Sequence, residues 1–413
     1  MLFHPKSPFF VLRHKDFRLL WLGLLISRIG SEMQVVGMSW HVYLLTGSAF
    51  SLSLIGLSRF IPIVSFSLFG GMVADVFDRK KIMLTAQIVM TLATLILTIA
   101  TYKGLASPML IYITIFITSL AGAFDTPSRQ AIVPLLVPQQ EFVKAVSLNT
   151  IMWQSAIVLG PSLAGFTIAS FNVGAVYLIN TLSFIAVIIA LLLMSPIKQV
   201  IIQKAEFNFE SLKVGIHFVF KTPIIVSSML LDFFATFFGS ATVLMPIYAK
   251  DILHVGAQGL GFLYAAPALG AVIAGLVISS HENLKSQGKI LLISVVIYGL
   301  SMILFGISRN FILSLFFIFV SGSADAISSV IRNAIRQLKT PDHLRGRMVS
   351  INQIFFQGGP QLGEVEAGIV AGFINAPFAV VTGGLATIIA TGIIARLVPQ
   401  LRRYNTHEPI EIL

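Results

Sequence analysis

Residues 121–149 read AGAFDTPSRQAIVPLLVPQQEFVKAVSLN, and residues 321–352 read SGSADAISSVIRNAIRQLKTPDHLRGRMVSIN. Gly122 and Asp125 correspond to Gly322 and Asp325. After a three-residue insertion, Pro138, Lys144, Ser147 and Asn149 correspond to Pro341, Arg347, Ser350 and Asn352. The register continues through Gln154 with Gln357, Gly160 with Gly363 and Gly165 with Gly368. Chance similarity between apolar helices would not place polar residues in register. Such an internal repeat is the mark of transporter folds, whose substrate site lies near mid-membrane between the repeats. A channel or a membrane enzyme is disfavoured on the same ground.

The rest of the chain agrees. Of 413 residues, 56% are hydrophobic and 11% charged, with a mean hydropathy of +0.90. A soluble domain carries about 25% charge, so an ordinary soluble enzyme is excluded. With 33 Phe against 17 Asp and Glu, disorder is excluded as well. Cysteine is absent, which removes disulfides, thiolate metal sites and cysteine nucleophiles. A membrane-spanning helix needs about 20 apolar residues. Twelve spans are expected at roughly 17–46, 49–76, 81–102, 108–136, 142–169, 174–194, 223–249, 257–279, 289–307, 310–338, 348–374 and 377–398. The fold expected is all-α and integral to the membrane, two pseudo-symmetric bundles of six helices over 1–194 and 223–413. Between them, 195–222 is the longest polar stretch and reads as a cytoplasmic linker. Its part from Glu210 to Phe220 has near-helical apolar spacing and would lie along the membrane face.

Charge placement gives the orientation. With the N-terminus inside, 23 of the 28 Lys and Arg fall on the inner side. Lys103, Lys250 and Arg309 fall outside, and Arg28 and Arg59 lie within spans. This asymmetry predicts cytoplasmic termini, and the location expected for the chain is the inner, cytoplasmic membrane. The net charge of +11 therefore reports topology and not nucleic-acid binding.

Between spans 2 and 3 the chain reads GGMVADVFDRKK (70–81). This resembles the G-x-x-x-D-x-x-x-R-[KR] signature of the major facilitator superfamily. The resemblance implies a cytoplasmic gate in which Gly71 permits close packing, Asp75 meets a cation or a helix N-terminus, and Arg79 anchors the loop, with Asp78 and Lys80 beside them. Val76 stands where the family usually has Arg, and the matching site in the second half (275–289) has decayed. Asp125 with Arg129, and Asp325 with Arg332 or Arg336, are expected as further gate pairs. In span 5, LGPSLAG (159–165) resembles the antiporter pattern of the superfamily, carried by Gly160, Pro161 and Gly165. FDTPSRQAIVPLLVP (124–138), LGFLYAAPALGAVIAG (260–275) and LGEVEAG (362–368) resemble the enterobactin-exporter-like group, which implies export of siderophores or drugs.

Ionisable residues within spans are costly, at about 2.5–3.5 kcal/mol each on insertion scales, and are functional candidates by default. Glu32 comes first as the proton-coupling group, because it sits about 20 Å along span 1 at ~1.5 Å per residue. Arg28, four residues earlier, could hold Glu32 ionised and spoil a simple proton carrier, or the pair could break and form during transport. Asp232 is second, and Glu364 and Asp325 follow. Arg28, Gln34, Arg59, Trp40, Trp153, Gln154, Phe233, Phe237 and Gln357 are candidates for the substrate cavity, and two arginines there would also suit an anionic substrate. No metal-ligand spacing and no nucleotide-binding loop appear. No cofactor is expected, and a proton gradient would supply the energy. The expected partners are a small molecule, protons and the bilayer, around a monomer. The best reading is a non-enzymatic secondary transporter exporting a small organic compound in exchange for protons. Rival readings are a proton-coupled importer and a non-transporting membrane receptor or assembly partner.

Overall fold

The computed structural model describes residues 7–197, 216–240, 242–280, 286–341 and 344–405. Among them run twelve long helices: α1 Lys15–Thr46, α2 Ala49–Val76, α3 Arg79–Tyr102, α4 Pro108–Leu136, α5 Phe142–Ser170, α6 Val173–Leu193, α7 Pro223–Gly239, α8 Gly256–Ser279, α9 Gln287–Ile307, α10 Phe311–Leu338, α11 Arg345–Phe373 and α12 Ala376–Leu397. Eleven spans among the described residues are long and apolar enough to cross a membrane; α11, with Glu364 and Glu366 in it, is the helix left out. Most of the linker, 198–215, lies outside the described residues, and with it most of the amphipathic stretch expected at 210–220. Its last part, 216–221, is helical.

The helix ends follow from local chemistry. Gly47 closes α1 in the left-handed conformation at φ 60°, its N–H donating to the Tyr43 carbonyl at 2.9 Å. Asp78 caps α3 by accepting from the Lys81 N–H at 3.1 Å. The duplication reaches the caps. Asn172 accepts from the Ala175 N–H to start α6, and Asn375 accepts from the Phe378 N–H to start α12, at equivalent places in the repeat. Ser107 and Asn310 do the same for α4 and α10.

One expected span is not one helix. The crossing at 223–249 is helical only to Gly239 and then breaks into short turns, Thr242–Leu244 and Met245–Ile247, and a π-turn at Tyr248–Ile252. Tyr298 of α9 explains the break. Its hydroxyl donates at 2.9 Å to the Gly239 carbonyl, the group that a continuing helix would use four residues on.

The chain divides into two compact units. The first is Met1–Gly47, Leu57–Phe207 and Val255–Ala265; the second is Ser48–Gly56, Asn208–His254 and Ala266–Leu413. The start of α2 thus belongs to the second unit and the start of α8 to the first. Within the first unit, α1 packs on α5 and α6, and α3 on α4 and α6. Within the second, α7 packs on α11 and α12, and α9 on α10 and α12, the same neighbours one repeat later. Large apolar side chains such as Leu92, Ile96 and Ile99 of α3 face outward. In lipid that is the favourable arrangement, and close packing of small residues holds the helices together instead.

Glycines supply those contacts. A side chain at Gly165 of α5 would meet the Ala257 carbonyl at 2.6 Å and Gly261 Cα at 3.0 Å, both on the first turns of α8 within unit one. At Gly368 of α11 it would meet Ser53 Cα at 2.9 Å and the Ala49 carbonyl at 3.0 Å, on the first turns of α2 within unit two. Gly165 and Gly368 are repeat equivalents, so the same backbone approach is built twice.

Candidate functional site

The first unit holds a cavity of about 230 Å³. Its walls are polar beyond what an apolar helix bundle needs. Ser27, Arg28 and Gln34 come from α1, Arg59 from α2, Gln87 from α3, Asp125 and Arg129 from α4, and Asn180 from α6. Asp125 is nearly buried. It accepts from Gln87 Nε2 at 3.2 Å and lies 3.8 Å from Arg129 Nε, the pair expected from the sequence. Asn180 Nδ2 donates to Gln34 Oε1 at 2.6 Å, and its own Oδ1 accepts from Ser183 at 2.8 Å. Buried amides in an apolar bundle are stable only when paired in this way.

At one edge of the cavity, Arg28 and Glu32 form the expected i,i+4 pair, Nη2 to Oε1 at 2.9 Å. The guanidinium lies over the Trp153 ring of α5, 3.6 Å from its centroid. Arg28 Nε is buried without a hydrogen-bond partner among the described residues. Arg129 of α4 lines the same cavity as Arg28. Gly160 of α5 sits directly against Glu32 Cβ, with the Ile29 carbonyl 3.1 Å from where its own Cβ would be. Gly160 and Trp153 are two helical turns apart, so one face of α5 fixes both ends of the pair.

The second unit holds a denser charge cluster. Asp232 of α7, 2% exposed, takes Arg332 at 3.0 Å on one carboxylate oxygen and Arg336 at 3.3 Å on the other. Both arginines come from α10 and are themselves buried. Arg332 Nη2 also donates to Asp325 at 3.2 Å and Ser329 at 2.8 Å, while Arg336 reaches Asn333 at 2.9 Å and Asn352. Arg332 Nε and Nη1 and Arg336 Nε have no hydrogen-bond partner among the described residues. Asp325 is the exposed member, its side chain 42% accessible. Of the two pairings expected for Asp325, the one with Arg332 is present; the acidic partner of Arg336 is Asp232 instead.

Other candidates fall elsewhere. Trp40 is buried in α1 and Gln154 is exposed on α5; neither lines the cavity. Phe233 and Phe237 stack on α7, centroids 5.6 Å apart, and Phe233 meets Phe355 edge-on. Glu364 is buried in α11, where its Cβ lies 3.0 Å from the position of a side chain at Gly56. The side chain of Gln357 lies outside the described residues. Gln87, Asn180 and Asn352 were not singled out from sequence. A single amide inside an apolar run was the available signal for the first two, and the Asn149–Asn352 repeat match for the third.

The loop cluster forms as expected in part. Arg79 donates to the Ala74 carbonyl at 3.1 Å and the Ala131 carbonyl at 3.0 Å, and Asp75 lies 3.9 Å from it. Lys80 Nζ donates to the Met194 carbonyl at 2.8 Å. The close-packing role assigned to Gly71 is corrected. A side chain there would meet nothing within 4 Å, whereas one at Gly70 would run into the Ala123 carbonyl of α4. One residue is about 100° of helix, which moves the contact to the other face. Gly71→Ala is therefore expected to leave thermal stability within about 1 kcal/mol of the parent or slightly above it. Gly70→Ala should lower it, a contrast that unfolding of the purified variants in detergent will show.

Residues 6–410 match the model of a family described as transmembrane secretion effector, MFS_3. The chain belongs to this family. Members of MFS_3 are transporters of the major facilitator superfamily, and the fold above is theirs. Macrolide efflux protein A of Streptococcus pyogenes is 24% identical over 397 residues, covering 94% of this chain and 97% of that one. The enterobactin exporter EntS of Salmonella typhi is 25% identical over 401 residues, covering 96% and 95%. Among solved structures, a bacterial homologue of the lysosomal transporter Spinster aligns with a TM-score of 0.71 at 14% identity, covering 95% of this chain and 98% of that one. A POT family transporter in complex with 5-aminolevulinic acid aligns with a TM-score of 0.74 at 12% identity, covering 93% and 96%. This MFS_3 chain is thus a multi-pass membrane transporter whose curated relatives include efflux proteins.

Proposed function

We propose that the protein is a secondary active transporter that exports small amphiphilic organic molecules from the cytoplasm in exchange for protons. The observation that carries this reading is the Arg28–Glu32 pair. A titratable carboxylate stands within a spanning helix, beside a polar cavity, and pressed against Gly160 of the antiporter-like segment of α5. Alternating access needs a group whose protonation changes a helix contact, and Glu32 meets that need. Arg28 on its own helix pairs with it, and Asp125 and Arg129 of α4 line the same cavity as Arg28. Macrolide efflux and enterobactin export by relatives support the outward direction and the amphiphilic substrate class. The distribution of Lys and Arg supports cytoplasmic termini, and reporter fusions at each end test it.

The deciding experiment uses proteoliposomes with a pH-sensitive dye inside and an imposed pH difference. A macrolide, a catecholate siderophore and amphiphilic drugs are added in turn. Substrate-dependent proton flux is expected, opposite in direction to the substrate, and Glu32→Gln is expected to reduce it more than tenfold. Flux in the same direction as the substrate would replace antiport with symport. Undiminished flux in Glu32→Gln would move the proton site to Asp325, Asp232 or Glu364.

A further inference from the structure

The cation-binding half of the Arg28 environment is complete without Arg28. Glu32 supplies a carboxylate, 18% exposed on its side chain, and Trp153 supplies an indole face, the residue being 43% exposed. A carboxylate beside an aromatic face is the standard chemistry for binding an organic ammonium. Arg28 now fills that place, with its guanidinium 3.6 Å from the ring centroid and 2.9 Å from Glu32 Oε1. It fills it imperfectly. Its Nε has no hydrogen-bond partner among the described residues, and a second cation, Arg129 of α4, lines the same cavity. The side chain also has somewhere else to go, since it already lines the cavity of about 230 Å³ whose wall carries Asp125 and Gln34.

We propose that Glu32 and Trp153 form a recognition site for an organic cation, and that Arg28 is the site's internal occupant, displaced when such a substrate binds. The inference rests on the export reading and narrows it to substrates bearing a positive charge beside an apolar body. Sign decides this. A cation taking Glu32 competes with a proton for the same carboxylate, so the two exclude each other as exchange requires. An anion taking Arg28 would release Glu32 to accept a proton, and both would travel the same way. Gly160 matters because Glu32 Cβ packs directly against it, which keeps the base of that side chain in place when Arg28 leaves.

The test is calorimetric binding to the purified full chain in detergent, with no gradient. The probes are tetraphenylphosphonium and its neutral relative triphenylphosphine oxide. Removing the internal competitor with Arg28→Met should tighten tetraphenylphosphonium binding about tenfold. Glu32→Gln should weaken it at least tenfold, and Trp153→Leu should weaken it severalfold. The neutral probe should respond little to either charge variant. Gel filtration and thermal unfolding identify any variant that does not fold. Should Arg28→Met fail there, Arg28→Gln takes its place, with the same expectation. Weaker cation binding in the Arg28 variant, or equal responses from both probes, would overturn the proposal. The two readings fail separately. Cation binding as described with no transport of any compound would remove the export reading alone. Coupled transport with a charge-blind site would remove this inference alone.

Discussion

Asp232→Asn will cost the protein about 3–5 kcal/mol, the penalty for removing one partner of a buried ion pair. The reason is visible in the second unit. Arg332 and Arg336 are 1% and 3% exposed, and Asp232 holds both. Without its charge, Arg336 keeps only the amide oxygens of Asn333 and Asn352. Arg332 keeps Asp325 and Ser329, through a single nitrogen. Two guanidinium groups would then share the single carboxylate of Asp325 and repel each other inside the membrane. The expected result is a sharp fall in the yield of monodisperse protein on gel filtration and a lowered unfolding temperature. Combining Asp232→Asn with Arg336→Gln should recover part of the loss, because one of the stranded charges goes with it. Normal stability in Asp232→Asn would mean that the three groups are not mutually dependent. Lost flux in Asp232→Asn would therefore not identify a proton carrier.

The second large effect is expected at Gly165→Leu. Overfilling a packed contact costs about 1–3 kcal/mol, and the upper end applies where the obstacle is backbone. The obstacles here are the Ala257 carbonyl at 2.6 Å and Gly261 at 3.0 Å, neither of which can rotate away. Substrate flux in proteoliposomes should fall more than tenfold even for protein that passes gel filtration, because α5 carries both this contact and the Gly160 contact to Glu32. Gly392→Leu in α12 is the matched control, since a side chain there meets nothing within 4 Å. Equal effects at both positions would show that helix propensity, and not the crossing, sets the outcome.

The architecture was legible because its causes are local and repeated. Run length, the Lys and Arg asymmetry and the 121–149/321–352 match each point to paired six-helix halves, and the helices lie close to the expected spans. What escaped depends on which way a helix face turns. Gly70 and Gly71 are indistinguishable in sequence, yet only Gly70 faces α4. Arg332 and Arg336 share a face of α10 with Asp325, so pairing within the helix was the natural expectation. Asp232 enters only because α7 brings it to that face. The π-turn at Tyr248–Ile252 and the earlier break were hidden too, since the Tyr298 hydroxyl that takes the Gly239 carbonyl lies 59 residues away.

The exchange of Ser48–Gly56 and Val255–Ala265 between the compact units bears on how the gene could be cut. A fragment ending at the linker would contain Gly165 but not Gly261, and its complement would contain Gly368 but not Ser53. Each would carry a bare glycine seam with nothing to zip against. Two fragments translated together are expected to trade those strips and accumulate, and either one translated alone is expected to be degraded, a contrast that immunoblots of membranes will show. One reading frame supplies the two halves in equal amount, as the exchange of strips requires.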